Sequence, residues 1–107
     1  MEIIKISFDY DDTLTKENIQ TIAARFIILG TDVFITTNRS YKDDNTDLFL
    51  IAGKLNIPKK NIQLCGDKEK AAFLKGFAFH FDDDADEIKD IEKKTDCLCI
   101  YVCDIAL

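Results

Sequence analysis

Phe8-Asp9-Tyr10-Asp11-Asp12-Thr13-Leu14 is the stretch on which the reading of this chain turns. Before it lies an apolar run, Ile3-Ile4-Lys5-Ile6-Ser7-Phe8, that reads as a buried strand. Three carboxylates within four residues at a strand exit repel one another. That costs folding free energy unless a cation or phosphate chemistry uses them. A hard cation such as magnesium takes oxygen ligands of this kind, usually one or two carboxylates with waters and a substrate phosphate. The same stretch also fits a solvated acidic turn, because Asp is common after strands. The rest of the chain decides between the two.

Working outward, Thr15 is placed to cap a helix over about 16–29. Ile19, Ile22, Ala23, Phe26 and Ile27 recur at helical spacing on one face, and Gly30 stands where a C-terminal cap belongs. Val33-Phe34-Ile35-Thr36 is short, β-branched and aromatic, which predicts a second strand. A polar stretch from Asn38 to Asn45 leads into a helix over about 47–55, closed by Ile57-Pro58. Ile62-Gln63-Leu64-Cys65 predicts a third strand. Gly66-Asp67 then turns into a helix holding Lys68, Lys70, Ala71, Ala72, Phe73 and Leu74, stopped near Gly76. A fourth strand over 77–81 has Asp82-Asp83-Asp84 at its end. A short helix with Ile88 and Ile91 leads to a fifth strand over 97–103. Such alternation predicts an α/β fold, with right-handed crossovers and a five-stranded parallel sheet covered by helices on both faces.

With 107 residues the chain is expected to be one domain, 1–107. It is 47% hydrophobic and 32% charged, as in ordinary globular proteins. The net charge of −6 and a pI near 4.6 argue against general binding of nucleic-acid backbones, which needs a basic face. They leave room for a phosphorylated molecule held through a metal. No apolar run approaches the ~20 residues that span a bilayer, and the start of the chain lacks the pattern of a secretion signal. A cytoplasmic location without membrane association is the expectation. Of the four cysteines, Cys97, Cys99 and Cys103 share a strand face with Tyr101. That spacing suits neither a disulfide nor a metal knuckle, so all four, with Cys65, are read as small hydrophobes in a reducing compartment.

A parallel sheet gathers its carboxyl ends along one rim, where open α/β sheets bind ligands. Useful groups recur at that rim. Asp9, Asp11 and Asp12 follow the first strand, and Thr36 and Thr37 the second. Lys68 and Lys70 follow the third, and Asp82, Asp83 and Asp84 the fourth. Neighbouring first and fourth strands would bring two acidic clusters, a hydroxyl and a lysine together, a setting for magnesium and a phosphoryl group.

The order Asp-x-Asp-x-Thr, strand-Thr, Lys, strand-Asp-Asp resembles the haloacid dehalogenase (HAD) superfamily of aspartate-nucleophile phosphohydrolases, over almost the whole chain. The resemblance implies a Rossmann-like three-layer domain with strand order 5-4-1-2-3 and no cap domain. It makes Asp9 the nucleophile, forming an aspartyl-phosphate while giving one oxygen to Mg2+. Asp11 becomes the acid and base that protonates the leaving group and later activates water, its carbonyl facing the metal. Thr37, with Thr36 as second choice, would bond a phosphoryl oxygen, and Lys70, with Lys68 as second choice, would balance charge. Asp83, supported by Asp82, would complete the magnesium shell. Asn38 and Arg39, with Tyr41 and Lys42 beyond them, are candidate substrate contacts; the same segment also fits a solvated loop.

Two departures stand out. Asp12 occupies a position where the family most often has Gly, so the turn calls for an unusual backbone conformation or simply tolerates the variant. The chain also has no loop that could hold a cap. An open rim implies a phosphorylated substrate, a small molecule or a macromolecule end, or a second copy covering the site. His80, the only histidine, is read as structural. Alternatives are a non-catalytic phosphoacceptor such as a response-regulator receiver, or a degenerate HAD-like binding module. A receiver would carry its phosphorylated Asp after the third strand, where Ile62 to Gly66 supplies none. A magnesium nuclease would not need the lysine.

Overall fold

A computed structural model describes residues 3–105. Its five strands are β1 (Lys5–Phe8), β2 (Asp32–Thr37), β3 (Ile62–Leu64), β4 (Phe79–Asp82) and β5 (Leu98–Tyr101). All neighbouring pairs run parallel, in the order β3-β2-β1-β4-β5, the predicted order read from the other edge. Three helices connect them: α1 (Glu17–Ile28), α2 (Thr46–Lys54) and α3 (Ala85–Lys94).

Strand residues alternate between faces, and the two faces pack against different elements. Ile6, Phe8, Val33, Ile35 and Phe81 join Ile19 and Ala23 of α1 and Leu48 and Ala52 of α2 in the larger core. Phe34 and Cys99 face the other way, onto Ile91 of α3 with Leu74, Phe77 and Cys97. Within the larger core the central strands are tied by Phe8 and Phe81, partners in register, whose rings stack 4.5 Å apart.

Helix ends follow local chemistry. At the end of α1, Gly30 has φ +85°, the Gly30 amide donates to the Ile27 carbonyl and the Thr31 amide to that of Phe26. Two orphan carbonyls are thereby satisfied in a left-handed cap that favours glycine. Asn56, at φ +62°, serves α2 in the same way, with the Ile57 amide donating to Ala52. At its start α1 differs from expectation. Lys16 rather than Thr15 is the cap residue, and no side chain bonds there.

Three other expectations need correction. The strand predicted from Ile3 begins at Lys5, and Ile3 and Ile4 are exposed. The pairing of β1 with β2 starts only at Asp32, where the chain leaves the α1 cap. The fifth strand stops at Tyr101 and turns through a 3-10 segment over Val102–Asp104. The helix expected over the stretch from Lys68 is only a 3-10 turn, Lys70–Phe73. Its buried residues are Lys70 and Ala71, and the Leu74 amide donates to the Ala71 carbonyl, an i to i+3 bond that closes a 3-10 turn instead of extending a helix. All four cysteines are free thiols, with Cys65 and Cys97 buried and Cys103 exposed. No helix among the described residues is long and apolar enough to cross a membrane.

Candidate functional site

The carboxyl ends of β1, β2 and β4 surround a cavity of about 180 Å³ lined by Asp9, Asp11, Asp12, Thr37, Asn38, Lys70 and Asp82 to Asp84. Asp9 is anchored where β1 ends, its amide donating to the Phe81 carbonyl of β4 at 2.8 Å. The chain then turns sharply: Asp11 stays extended and Asp12 takes φ +59°, the left-handed conformation that a glycine adopts without strain. Asp is among the few side chains that adopt it at modest cost. Thr13, fully buried, lies between two carboxylates, its hydroxyl 3.2 Å from Asp9 Oδ2 and 3.4 Å from Asp83 Oδ1.

Lys70 is the cation of the site. Although 61 residues from Asp9 in sequence, its Nζ donates at 2.8 Å to Asp9 Oδ1 and at 2.8 Å to Asp82 Oδ2, and Glu87 Oε1 lies 3.9 Å away. The Lys70 side chain is 2% exposed. Burial disfavours its charged form, but the two carboxylates outweigh burial and raise its pKa. Those carboxylates diverge. Burial and the neighbouring Asp82 push Asp9 up to about 7 despite Lys70. Asp82 is also buried, yet bonds from His80 and Lys70 overcome that and hold it at about 2.

Among the described residues, Asp9, Asp82 and Asp83 are the acidic group whose ligand atoms converge, all within 4.8 Å of one another. Carboxylate oxygens converging in this way are the donor type that hard cations take. The three are not equally free. Both oxygens of Asp82 already accept protein donors: Oδ2 from Lys70 with His80 Nε2 at 2.8 Å, and Oδ1 from the Asp84 amide. Asp83 has only the long contact to Thr13. The third member of the acidic run, Asp84, caps α3 by accepting from the Asp86 and Glu87 amides.

The other expected site residues divide. Thr37 lines the cavity, its hydroxyl accepting from the Arg39 amide at 3.2 Å. Thr36 points to the opposite face of the sheet, bonded to Ser7 and Gln63 and fully buried, so it is not brought to the cavity. Asn38 donates to Glu87 at the rim. Lys68 lies outside the cavity, in an adjoining groove of about 760 Å³ that also contains Tyr41, Lys42 and Asn38. Asp11 lines the rim, but its carboxylate stays outside the converging triad and is paired with Arg39. Glu87 was not singled out in the sequence. Its place in the first turn of α3, three residues after the Asp84 cap, marks a helix start and carries no sign of a reach toward Lys70.

His80 is fully buried, with Nδ1 3.0 Å from the Ser7 hydroxyl and Nε2 2.8 Å from Asp82. Burial lowers its pKa against the pull of Asp82. It acts on the site by orienting Asp82. In comparisons with models of protein families, with curated proteins and with solved structures, the chain matched none.

Proposed function

We propose that this protein is a magnesium-dependent phosphomonoesterase of the HAD type that works through an aspartyl-phosphate on Asp9. The observation that carries this reading is one buried ammonium, Lys70, shared between Asp9 and Asp82 with the Asp83 carboxylate beside them at the rim of a parallel sheet. A solvated acidic turn would need neither the burial nor the lysine.

The proton affinity of Asp9 supports a second cation. With Lys70 alone its pKa stands near 7, so the carboxylate is only partly ionised at neutral pH. A divalent ion held by Asp9 and Asp83 would favour the ionised, nucleophilic form and offset its repulsion from a phosphate dianion. Asp83 is the more available of the pair, since Asp82 Oδ2 already takes two donors, Lys70 and His80, and its Oδ1 the Asp84 amide, whereas Asp83 has only the long contact to Thr13. In the first step an Asp9 oxygen bonds to phosphorus, the ester P–O bond breaks, and Asp11 gives its proton to the departing oxygen. Water then attacks phosphorus, Asp11 takes its proton, and phosphate leaves with Asp9 restored. Lys70 and the Thr37 hydroxyl would hold the phosphoryl oxygens. The groove holding Tyr41, Lys42 and Lys68 lies beside the cavity and would receive the rest of the phosphorylated substrate.

Hydrolysis of p-nitrophenyl phosphate, with magnesium and after chelation, tests the proposal on wild type and Asp9→Asn. Turnover is expected only for wild type with magnesium. Equal rates for both proteins would remove Asp9 as nucleophile, and a stable acyl-phosphate without turnover would favour a phosphoacceptor.

A further inference from the structure

Arg39, two residues beyond β2, is bound at every donor. Its Nε and Nη2 donate to the two oxygens of Asp11 at 3.0 and 2.8 Å. Its Nη1 and Nη2 donate to the two oxygens of Asp47, at the start of α2, at 2.8 and 3.1 Å. The remaining Nη1 hydrogen reaches the Asp44 carbonyl at 3.3 Å. Below this plane lies the Tyr10 ring, 4.8 Å from the guanidinium carbon, and the Tyr10 hydroxyl donates to Asp47 Oδ2 at 3.0 Å. The backbone is fixed as well, with the Arg39 amide on Thr37 and the Arg39 carbonyl accepting from Gly66.

Five N–H groups on five protein acceptors leave none for a substrate phosphate. Asp11, by contrast, has its side chain 54% exposed at the rim, with Arg39 as the fork that orients it. Bidentate pairing fixes the plane of a carboxylate as well as its position, which a lysine cannot do. We propose that Arg39 is a positioning residue for the proposed phosphatase reaction, holding Asp11 at the leaving-group side of the cavity, with Asp47 and Tyr10 keeping the guanidinium in place. The inference rests on the phosphomonoesterase reading and assigns Arg39 to proton transfer instead of substrate capture.

Esters that differ in their need for a proton separate these roles. A nitrophenolate leaves without protonation, and an alkoxide does not. Single-turnover release of the leaving group is measured for p-nitrophenyl phosphate and for glycerol phosphate, in wild type, Arg39→Gln, Arg39→Lys and Asp47→Asn. Arg39→Gln is expected to slow the alkyl ester roughly 10–100-fold, part of the ~10²–10⁴ that acid–base catalysis supplies, while changing the aryl ester less than about threefold. KM, from steady-state rates with each ester, should hold for both. Arg39→Lys should recover only a fraction, because a point charge cannot hold both oxygens, and Asp47→Asn should repeat the pattern more weakly. Equal losses on both esters, a raised KM with unchanged rates, or faster alkyl transfer in Arg39→Gln each overturn the assignment. A wild type inactive on both esters overturns the phosphatase reading and this inference together. An active wild type whose Arg39→Gln variant keeps its alkyl rate overturns this inference alone.

Discussion

Asp9 is a carboxylate whose charge is opposed by its surroundings, and that has a thermodynamic sign. Its pKa is near 7 in the folded chain, against a reference of 3.8. Between those values the unfolded chain releases a proton that the folded chain keeps, so rising pH favours unfolding. Stability linked to Asp9 is therefore complete below about 3.8, declines toward pH 7 and is level above it. Asp82, held at about 2, works in a separate window: its contribution is full above 3.8 and is lost as pH falls through 2. In chelated buffer, Asp9→Asn should gain on wild type in urea-unfolding free energy as pH rises from 4 to 7, the gap then remaining constant. A gap that ignores pH would contradict the burial account. From sequence, Asp9 stood out by its crowded neighbours. Its proton affinity did not, because that depends on Lys70 and Asp82, 61 and 73 positions away.

Across the strands, one polar row crosses the sheet face turned toward α3. Ser7 of β1 donates to Thr36 of β2 at 2.7 Å, and Thr36 donates to Gln63 of β3 at 2.8 Å. On the other side, Ser7 meets His80 of β4, which meets Asp82. Each buried polar group in such a row depends on its neighbours, since a lost partner in a dry interior leaves a desolvated group unpaired. Ser7→Ala should lower unfolding free energy by about 1–3 kcal/mol. Thr21→Ala, on the exposed side of α1, should stay within about 0.5 kcal/mol. Denaturant midpoints read both, and comparable small losses would mean that the row adds nothing. The alternation of Ser7 and His80 with apolar neighbours was visible in the chain, but their partnership needed the register in which Ser7 faces His80. The 3-10 turn at Lys70 shows the same limit at element scale. A run of Lys and Ala favours a helix locally, whereas the chain makes only a 3-10 turn there, with Lys70 drawn inward to Asp9 and Asp82.

At the scale of the molecule, a cation at the rim would join β1 to β4 and bind only the folded chain. Magnesium at a hundred times its dissociation constant would then add about 2.7 kcal/mol, seen as a rise in Tm. Asp83→Asn should remove most of that rise. Asp84→Ala should cost roughly 0.5–2 kcal/mol through loss of the α3 cap and leave the magnesium shift in place. A full magnesium shift in Asp83→Asn would place the ion elsewhere.

Hydrophobic runs of strand length, separated by segments long enough to cross over, committed this chain to parallel pairing. Parallel pairing sends every strand exit to one edge, so Asp9, Thr37 and Asp82 were destined for a shared rim whatever the details of packing. Side-chain direction and reach were another matter. Folding put Lys70 rather than Lys68 between the carboxylates, turned Thr36 inward and gave Asp11 to Arg39. Those outcomes hang on register, burial and contacts between residues distant along the chain, which local patterns do not encode.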